Sequence, residues 1–286
     1  MAKWPRTLQP ETKGPARDRA LRGCSIVWTR PAESAGAMAE ALAKAGAEVH
    51  EAPAIEFVSL VNKNLRELGK SINALLKREG WLILPSPAAI RFFTQALEQL
   101  RLSPARLAPL RIAAIGPASA GQLAAAGLSA HFLPPWPNGR SLSETLPAEP
   151  GSPVLISGSS QTRPELREGL AARGLRVSVL PLYTPRASAA GLRAIHQLLA
   201  ERPERLVVVT SPSAAEALRR FFDHALVDKA TLLDKAQWVA IGPTTFQKLR
   251  EWNILAPADV AQAATPDARG IIQAAAALGQ AGPPES

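Results

Sequence analysis

Val239-Ala-Ile-Gly-Pro-Thr-Thr245 is a short apolar run that stops at Gly242-Pro243. It reads as a buried parallel strand ending where a helix begins. Pro243 falls at the first helical position, where a fixed φ and a missing N–H cost nothing, and Gly242 is a permissive cap. The helix N-terminus then points beyond the carboxyl end of the strand. Free backbone N–H groups and the helix dipole converge there and favour anions. The same device occurs earlier, as Ile112-Ala-Ala-Ile-Gly-Pro-Ala-Ser119.

Two more stretches repeat at a similar spacing of about 125 to 128 positions. Ser25-Ile-Val-Trp-Thr29, with Ala45-Gly-Ala-Glu-Val49 after it, pairs with Pro153-Val-Leu-Ile-Ser157 and Arg173-Gly-Leu-Arg-Val177. Trp81-Leu-Ile-Leu-Pro-Ser-Pro-Ala-Ala-Ile90 pairs with Leu206-Val-Val-Val-Thr-Ser-Pro-Ser-Ala-Ala215. That period is far longer than a solenoid unit. It predicts two similar α/β lobes, and a cleft between lobes is a usual place for a small-molecule site.

The 286 residues suffice for two domains, each with its own core. Composition is that of a globular protein, 47% apolar and 20% charged. A single cysteine, Cys24, excludes an internal disulfide framework and a cysteine-rich metal site. A reducing, cytoplasmic setting is expected. No apolar run approaches the roughly 20 residues of a membrane span, and no signal-peptide core precedes the first strand. Of the net charge of +9, residues 1–22 carry +4, through Lys3, Arg6, Lys13, Arg17, Arg19 and Arg22 against Glu11 and Asp18. Residues 1–23 lack periodicity and read as a disordered basic tail. The remaining charge reads as solvated helix faces or as a match to an acidic ligand. Nucleic acid is disfavoured, because the basic residues are scattered and aromatics make up only 5%.

In chain order, strands are expected at Ser25–Thr29, Trp81–Leu84, from Ile112, at Ala130–Leu133, Val154–Ser157, Leu206–Thr210 and from Val239. Extended stretches are expected at Val49–Leu60 and Val177–Leu182. Helices are expected at Pro31–Lys44, Leu65–Lys77, from Pro87, from Pro117, at Ser141–Leu146, Pro164–Arg173, Ala189–Leu199, Pro212–Phe222 and Pro243–Trp252. A final helix is expected from Pro266, capped by Thr265. The alternation predicts parallel sheets with helices on both faces. Five turns share one construction: Arg30-Pro31, Ser86-Pro87, Gly116-Pro117, Ser211-Pro212 and Gly242-Pro243. In open α/β sheets such turns gather where ligands bind. Facing edges would line a cleft with helix N-termini and the hydroxyls of Ser86, Ser119, Ser211, Ser213, Thr244 and Thr245, suited to carboxylates or phosphates. Each hydroxyl also has a plainer reading as the cap of its own helix.

Dinucleotide and phosphate-loop glycine patterns are absent. His50, His131, His196 and His224 are isolated from one another in sequence, so no metal site is expected.

The ordered set Thr29-Arg30-Pro31, Pro85-Ser86-Pro87, Ile115-Gly116-Pro117, Leu182-Tyr183-Thr184, Thr210-Ser211-Pro212-Ser213, Ile241-Gly242-Pro243-Thr244-Thr245 and Ala264-Thr265-Pro266 resembles uroporphyrinogen-III synthase, from Ser25 to about Leu278. The resemblance implies an interleaved fold. One lobe would comprise 24–52 and 186–280, the other 61–177, with crossovers at 53–60 and 178–185. It also implies cofactor-free closure of hydroxymethylbilane, an octacarboxylate linear tetrapyrrole, with inversion of its last ring and loss of water, in haem, sirohaem and cobalamin biosynthesis. The implied protein is a monomer with that bilane as partner, without nucleic acid or membrane.

By the same resemblance Tyr183, the only tyrosine, is the candidate catalytic residue. Arg30, Ser86, Gly116, Ser119, Ser211, Ser213, Gly242, Thr244 and Thr245 are the candidate binding residues. Two departures from the family pattern stand out. Ile156-Ser157-Gly158-Ser159-Ser160 replaces an arginine after the strand that opens the second copy, leaving Arg163 as the nearest, and Pro85 replaces a threonine before Ser86. A two-lobe binding protein for an anion remains the alternative. A two-lobe glycosyltransferase would need acidic or glycine-rich nucleotide elements that the chain lacks.

Overall fold

The computed structural model describes residues 5–10, 20–30, 36–162, 164–202, 204–224, 233, 235–252 and 255–279. Two compact units result, Phe57–Pro185 and the pair Met1–Glu56 with Arg186–Ser286.

The strands are β1 (Arg6–Leu8), β2 (Ser25–Trp28), β3 (Glu48–Glu51), β4 (Ile55–Ser59), β5 (Trp81–Leu84), β6 (Arg111–Ala114), β7 (Pro153–Ser159), β8 (Arg176–Ala187), β9 (Leu206–Val209), β10 (Gln237–Ala240) and β11 (Val260–Gln262). The helices are α1 (Gly36–Lys44), α2 (Val61–Lys77), α3 (Pro87–Leu100), α4 (Pro117–Ala125), α5 (Gly139–Thr145), α6 (Pro164–Ala172), α7 (Ala189–Glu201), α8 (Pro212–His224), α9 (Pro243–Arg250) and α10 (Ala268–Ala277). One sheet runs β1-β3-β2-β9-β10-β11 and the other β4-β8-β7-β5-β6.

The repeat holds at the level of single hydrogen-bonded residues. Ile26, Val27 and Trp28 of β2 lie against Leu206, Val207 and Val208 of β9. Their counterparts Val154, Leu155 and Ile156 of β7 lie in the same register against Trp81, Leu82 and Ile83 of β5. Each sheet therefore takes its two middle strands from different copies of the repeat. The turns agree too. Gly46 and Gly174, which end α1 and α6, both have positive φ, at 97° and 76°. Only glycine adopts that region without steric cost.

Both faces of the second sheet are covered, which is why its strands read as continuous apolar runs. Leu82, Leu84, Ile112, Ala114 and Leu155 pack with Leu68, Ile72, Phe93 and Leu97. Trp81, Ile83, Ala113, Val154 and Ile156 pack on the other side with Leu142, Leu166 and Leu170. In the first unit Ile26, Trp28, Val49, Leu206, Val208 and Val239 form a core with Ala39, Leu42 and Ile271. Each fully buried leucine or isoleucine contributes about 1.5 to 3 kcal/mol.

Several expectations are corrected. The segment expected to be a disordered tail contains β1, which pairs antiparallel with β3 and becomes the edge strand of the sheet. The edge of β3 offers unpaired backbone groups, and Leu8 packs on the core behind it. Leu21 is fully buried, with its N–H on the Ala45 carbonyl. The final helix starts at Ala268 and is capped by Asp267, whose Oδ1 accepts from Gly270 N–H (2.8 Å) and from Thr265 Oγ1 (2.8 Å). β11 had no sequence expectation. Its counterpart at Ala130–Leu133 is reduced to one bridge, Ala113 to Phe132. Two causes are visible: His131 Nδ1 takes the Ile112 N–H (3.2 Å), and Pro134-Pro135 then removes the donors needed to continue. Helix α2 begins a turn earlier than expected, at the buried Val61. The first turn of the helix expected from Pro31 lies outside the described residues.

Candidate active site on the strand carboxyl ends

Four of the five expected strand-to-helix turns are described, and all four open a helix with proline at its first position. Ser86 and Ser211, which correspond in the repeat, have the same local role. Ser86 Oγ accepts from Ala89 N–H (3.2 Å), and Ser211 Oγ accepts from Ala214 N–H (3.1 Å). Gly116 and Gly242 are the other matched pair, both extended, with φ of −154° and −173°. Any residue adopts such a φ. A Cβ at Gly242 would meet open space, and one at Gly116 would make only ordinary contact with Pro137. Among the described residues, neither backbone conformation nor packing demands these glycines.

The hydroxyls divide by burial. Thr244 is exposed, and Ser86, Ser211 and Ser213 are half-buried. Ser119 and Thr245 are buried, correcting the expectation that they line a cleft. Both sit one turn before a buried leucine of the same helix, Leu123 and Leu249, so they fall on its inward stripe. Arg30 is half-buried just past the carboxyl end of β2, and burial pushes its guanidinium below the ordinary arginine value. Arg163 lies outside the described residues.

What sets the second unit's rim apart is Tyr183. Strand β8 carries it past the end of β7, where a register shift between Gly158 and Ser159 leaves Ser159 opposite Tyr183. Its ring stacks on Phe92 (centroids 5.0 Å apart, 20° between planes) and meets Phe57 edge-on (4.9 Å, 65°). The hydroxyl lies 3.2 Å from Ser86 Oγ. Thus the phenol is held to the residue that caps α3. Burial pushes Tyr183 above the ordinary tyrosine value. The hydrogen bonds to Ser86 and Ser159 and the charge of Arg91 act the other way. The group is an uncharged proton donor throughout the neutral range. In the first unit no tyrosine stands beside the equivalent cap.

Residues 36–273 match the family described as Uroporphyrinogen-III synthase HemD. The chain belongs to the uroporphyrinogen-III synthase family. Among curated relatives, the Porphyrin biosynthesis protein HemD of Ruminiclostridium josui is 26% identical over 239 residues, which is 82% of this chain and 45% of that protein. The chain therefore spans about half the length of this relative. A mutant uroporphyrinogen III synthase from the extremely thermophilic bacterium Thermus thermophilus superposes with a TM-score of 0.57 at 22% identity, covering 90% of this chain and 100% of that one. The uroporphyrinogen-III synthetase of Helicobacter pylori gives 0.57 at 17% identity, covering 89% and 99%. At these identities the structural likenesses establish the two-sheet synthase fold.

Within that family fold, three features of the rim lacked a clear sequence signal. Ser159 became a partner of Tyr183 through an irregularity in β7, although the small polar run 157–160 marked the place. Phe57 and Phe92 clamp the tyrosine from β4 and α3, far apart in sequence. Arg91, over the face of Phe92 at 4.7 Å, places a cation behind the stack. Among the described residues no helix is long and apolar enough to cross a membrane.

Proposed function

We propose that this chain converts hydroxymethylbilane to uroporphyrinogen III, with inversion of ring D and loss of water. The observation that carries the reading is the Tyr183 phenol, kept neutral and held 3.2 Å from the Ser86 hydroxyl at the rim of the second lobe. In the proposed step the bond between the methylene carbon and the hydroxyl oxygen breaks. The Tyr183 proton goes to the leaving oxygen as water departs, and the pyrrole nitrogen supplies electrons to form a cationic azafulvene. The proton lost when the closed ring regains aromaticity restores the phenol. Positioned proton donation of this kind typically accelerates a step by about 10² to 10⁴.

The substrate's carboxylates are assigned to the backbone at Gly116 and Gly242, to the hydroxyls of Ser86, Ser211, Ser213 and Thr244, and to Arg30. Backbone donors suit this chemistry. They hold carboxylates without placing fixed positive charge beside a developing cation. The same reading carries a cytoplasmic monomer that needs no cofactor.

The test is to supply freshly made hydroxymethylbilane, oxidise the products and separate the porphyrin isomers. A dominant type III isomer is expected. Type I alone, formed at the uncatalysed rate, would reject the reaction and leave a two-lobe anion-binding protein.

A further inference from the structure

Leu133-Pro-Pro-Trp-Pro-Asn138 follows the single bridge at Phe132 and presents a fully formed aromatic surface to solvent. Trp136 is 71% exposed, whereas Trp28, Trp81, Trp238 and Trp252 are buried. Leu133 of the same loop is exposed as well, so two of the exposed large apolar side chains collect in this one segment, the kind of surface that marks a contact site.

The loop that carries it is held on both sides. Pro135 and Pro137 restrict the backbone next to it. The Trp136 backbone N–H donates to Ser141 Oγ (3.2 Å), and its carbonyl accepts from Asn138 N–H (2.7 Å). Asn138 Oδ1 in turn accepts from Ser141 N–H (2.8 Å), tying the loop to the start of α5. Such a backbone loses little entropy when a ligand arrives. The loop also has a defined neighbour. Pro137 Cβ lies 3.5 Å from where a Cβ on Gly116 would stand, so the segment rests beside the opening of α4 at the carboxyl end of β6. The pinned backbone that carries this exposed indole therefore borders one of the rim's backbone anion positions, one residue away through Pro137.

We propose that Trp136 is a substrate-contacting residue, an aromatic wall against which a pyrrole ring of the tetrapyrrole packs. The inference rests on the tetrapyrrole reading given above. Pyrroles suit this surface: their π faces stack on indole, and their N–H groups can point at its electron-rich face. The carboxylates go to the neighbouring amides while the ring goes to the tryptophan, so one rim reads both parts of the substrate.

The experiment compares wild type, Trp136→Phe and Trp136→Ala in two assays. One is equilibrium binding of uroporphyrin III, followed by porphyrin fluorescence. The other is steady-state turnover of hydroxymethylbilane. Trp136→Ala is expected to weaken uroporphyrin binding and raise KM by about five-fold or more, the lower end of what aromatic stacking supplies. Both kcat and Tm should stay close to wild type, and Trp136→Phe should retain most of the affinity. Unchanged binding and KM in Trp136→Ala, or an equal loss in Trp136→Phe, would overturn the role. A wild type that binds uroporphyrin III through Trp136 but forms no type III isomer would reject the reaction while leaving the contact standing.

Discussion

Tyr183 and Ser86 meet through their hydroxyls at 3.2 Å, and Ser86 simultaneously caps α3 by accepting from Ala89 N–H. A residue on a long strand is thereby tied to the first turn of a helix almost a hundred positions away in sequence. The geometry follows from two local facts. Ser86 precedes a proline that takes the first helical position, and its side chain turns back to the cap. Tyr183 is fixed by Phe92 and Phe57, leaving its hydroxyl a single direction.

Replacing Tyr183 by phenylalanine should therefore separate chemistry from structure. The ring packing survives, and the lost hydrogen bond costs about 1 kcal/mol of stability. Turnover should fall by about a hundredfold with KM little changed. Steady-state kinetics beside a thermal melt would check this, and unchanged kcat would remove the phenol from the mechanism. Ser86→Ala should instead cost about 1 kcal/mol through the lost cap and lower kcat less.

His50 predicts a pH response in the first unit. Its Nδ1 faces Thr7 Oγ1 (3.1 Å) from β1, and its Nε2 faces Ser25 Oγ (3.1 Å) from β2 and Glu48 (3.4 Å) on its own strand. Arg205 donates to the same Ser25 Oγ (3.0 Å), and Glu201 acts from a greater distance. Burial, helped by Arg205, pushes His50 below its ordinary value despite Glu48. The unfolded chain then binds a proton before the folded one does. Stability present above the ordinary histidine range is thus lost as pH falls through it toward the lowered value. Urea denaturation between about pH 7.5 and about pH 5.5, spanning the ordinary histidine range, should show this decline, and His50→Gln should flatten it. An identical slope in the variant would refute the assignment.

The same physics explains what could be read from the chain alone. The repeat was legible because buried parallel strands leave uninterrupted apolar runs, and Ser-Pro or Gly-Pro marks their ends. The matched registers of Ile26 with Leu206 and Val154 with Trp81 follow from it. Strand β1 was not legible: three residues in a charged segment carry no period, and they are ordered by pairing with β3, by Leu8 on the core and by Thr7 against His50. Ser119 and Thr245 were misplaced, although each stands four residues before a buried leucine. Trp136 stands in Pro134-Pro-Trp-Pro-Asn-Gly139, a run whose composition marks a loop and no more, and no local signal reports that its neighbour Pro137 rests against Gly116.

Glu216 on α8 makes a narrower prediction. Hydrogen bonds from Arg219 (2.8 and 3.1 Å) and Arg220 (2.7 Å) hold its carboxyl down at about 2. A depressed folded value means stability present above the ordinary carboxylate range and lost as pH falls toward 2. The trio is solvent-accessible, so screening should limit its worth to less than about 1 kcal/mol. Glu216→Gln should lower stability by that amount at neutral pH, and high salt should shrink the difference. A larger, salt-insensitive loss measured by denaturation would show that the cluster does more than pair at the surface.

Two glycines near helix starts predict opposite outcomes for the same substitution. Gly191 lies within α7, where alanine would ordinarily gain about 1 kcal/mol from helix propensity. The Pro53 carbonyl, however, occupies the place of its Cβ, and both residues lie in backbone pinned by the Ser188 N–H to Ala54 carbonyl bond. Gly191→Ala should reverse that gain and destabilise by about 3 kcal/mol or more, because a backbone group cannot step aside as a side chain can. At Gly242 the methyl enters open space on an extended backbone, so Gly242→Ala should cost at most about 1 kcal/mol, the difference between glycine and alanine as a cap. Its effect should appear in binding: if a substrate carboxylate approaches that amide, the methyl stands in its path and KM should rise about tenfold. Paired melts and kinetics on the two variants would decide. A Gly242→Ala enzyme with wild-type KM would place the carboxylates elsewhere on the rim, and a Gly191→Ala protein as stable as wild type would mean that the Pro53 crossover can move away from α7.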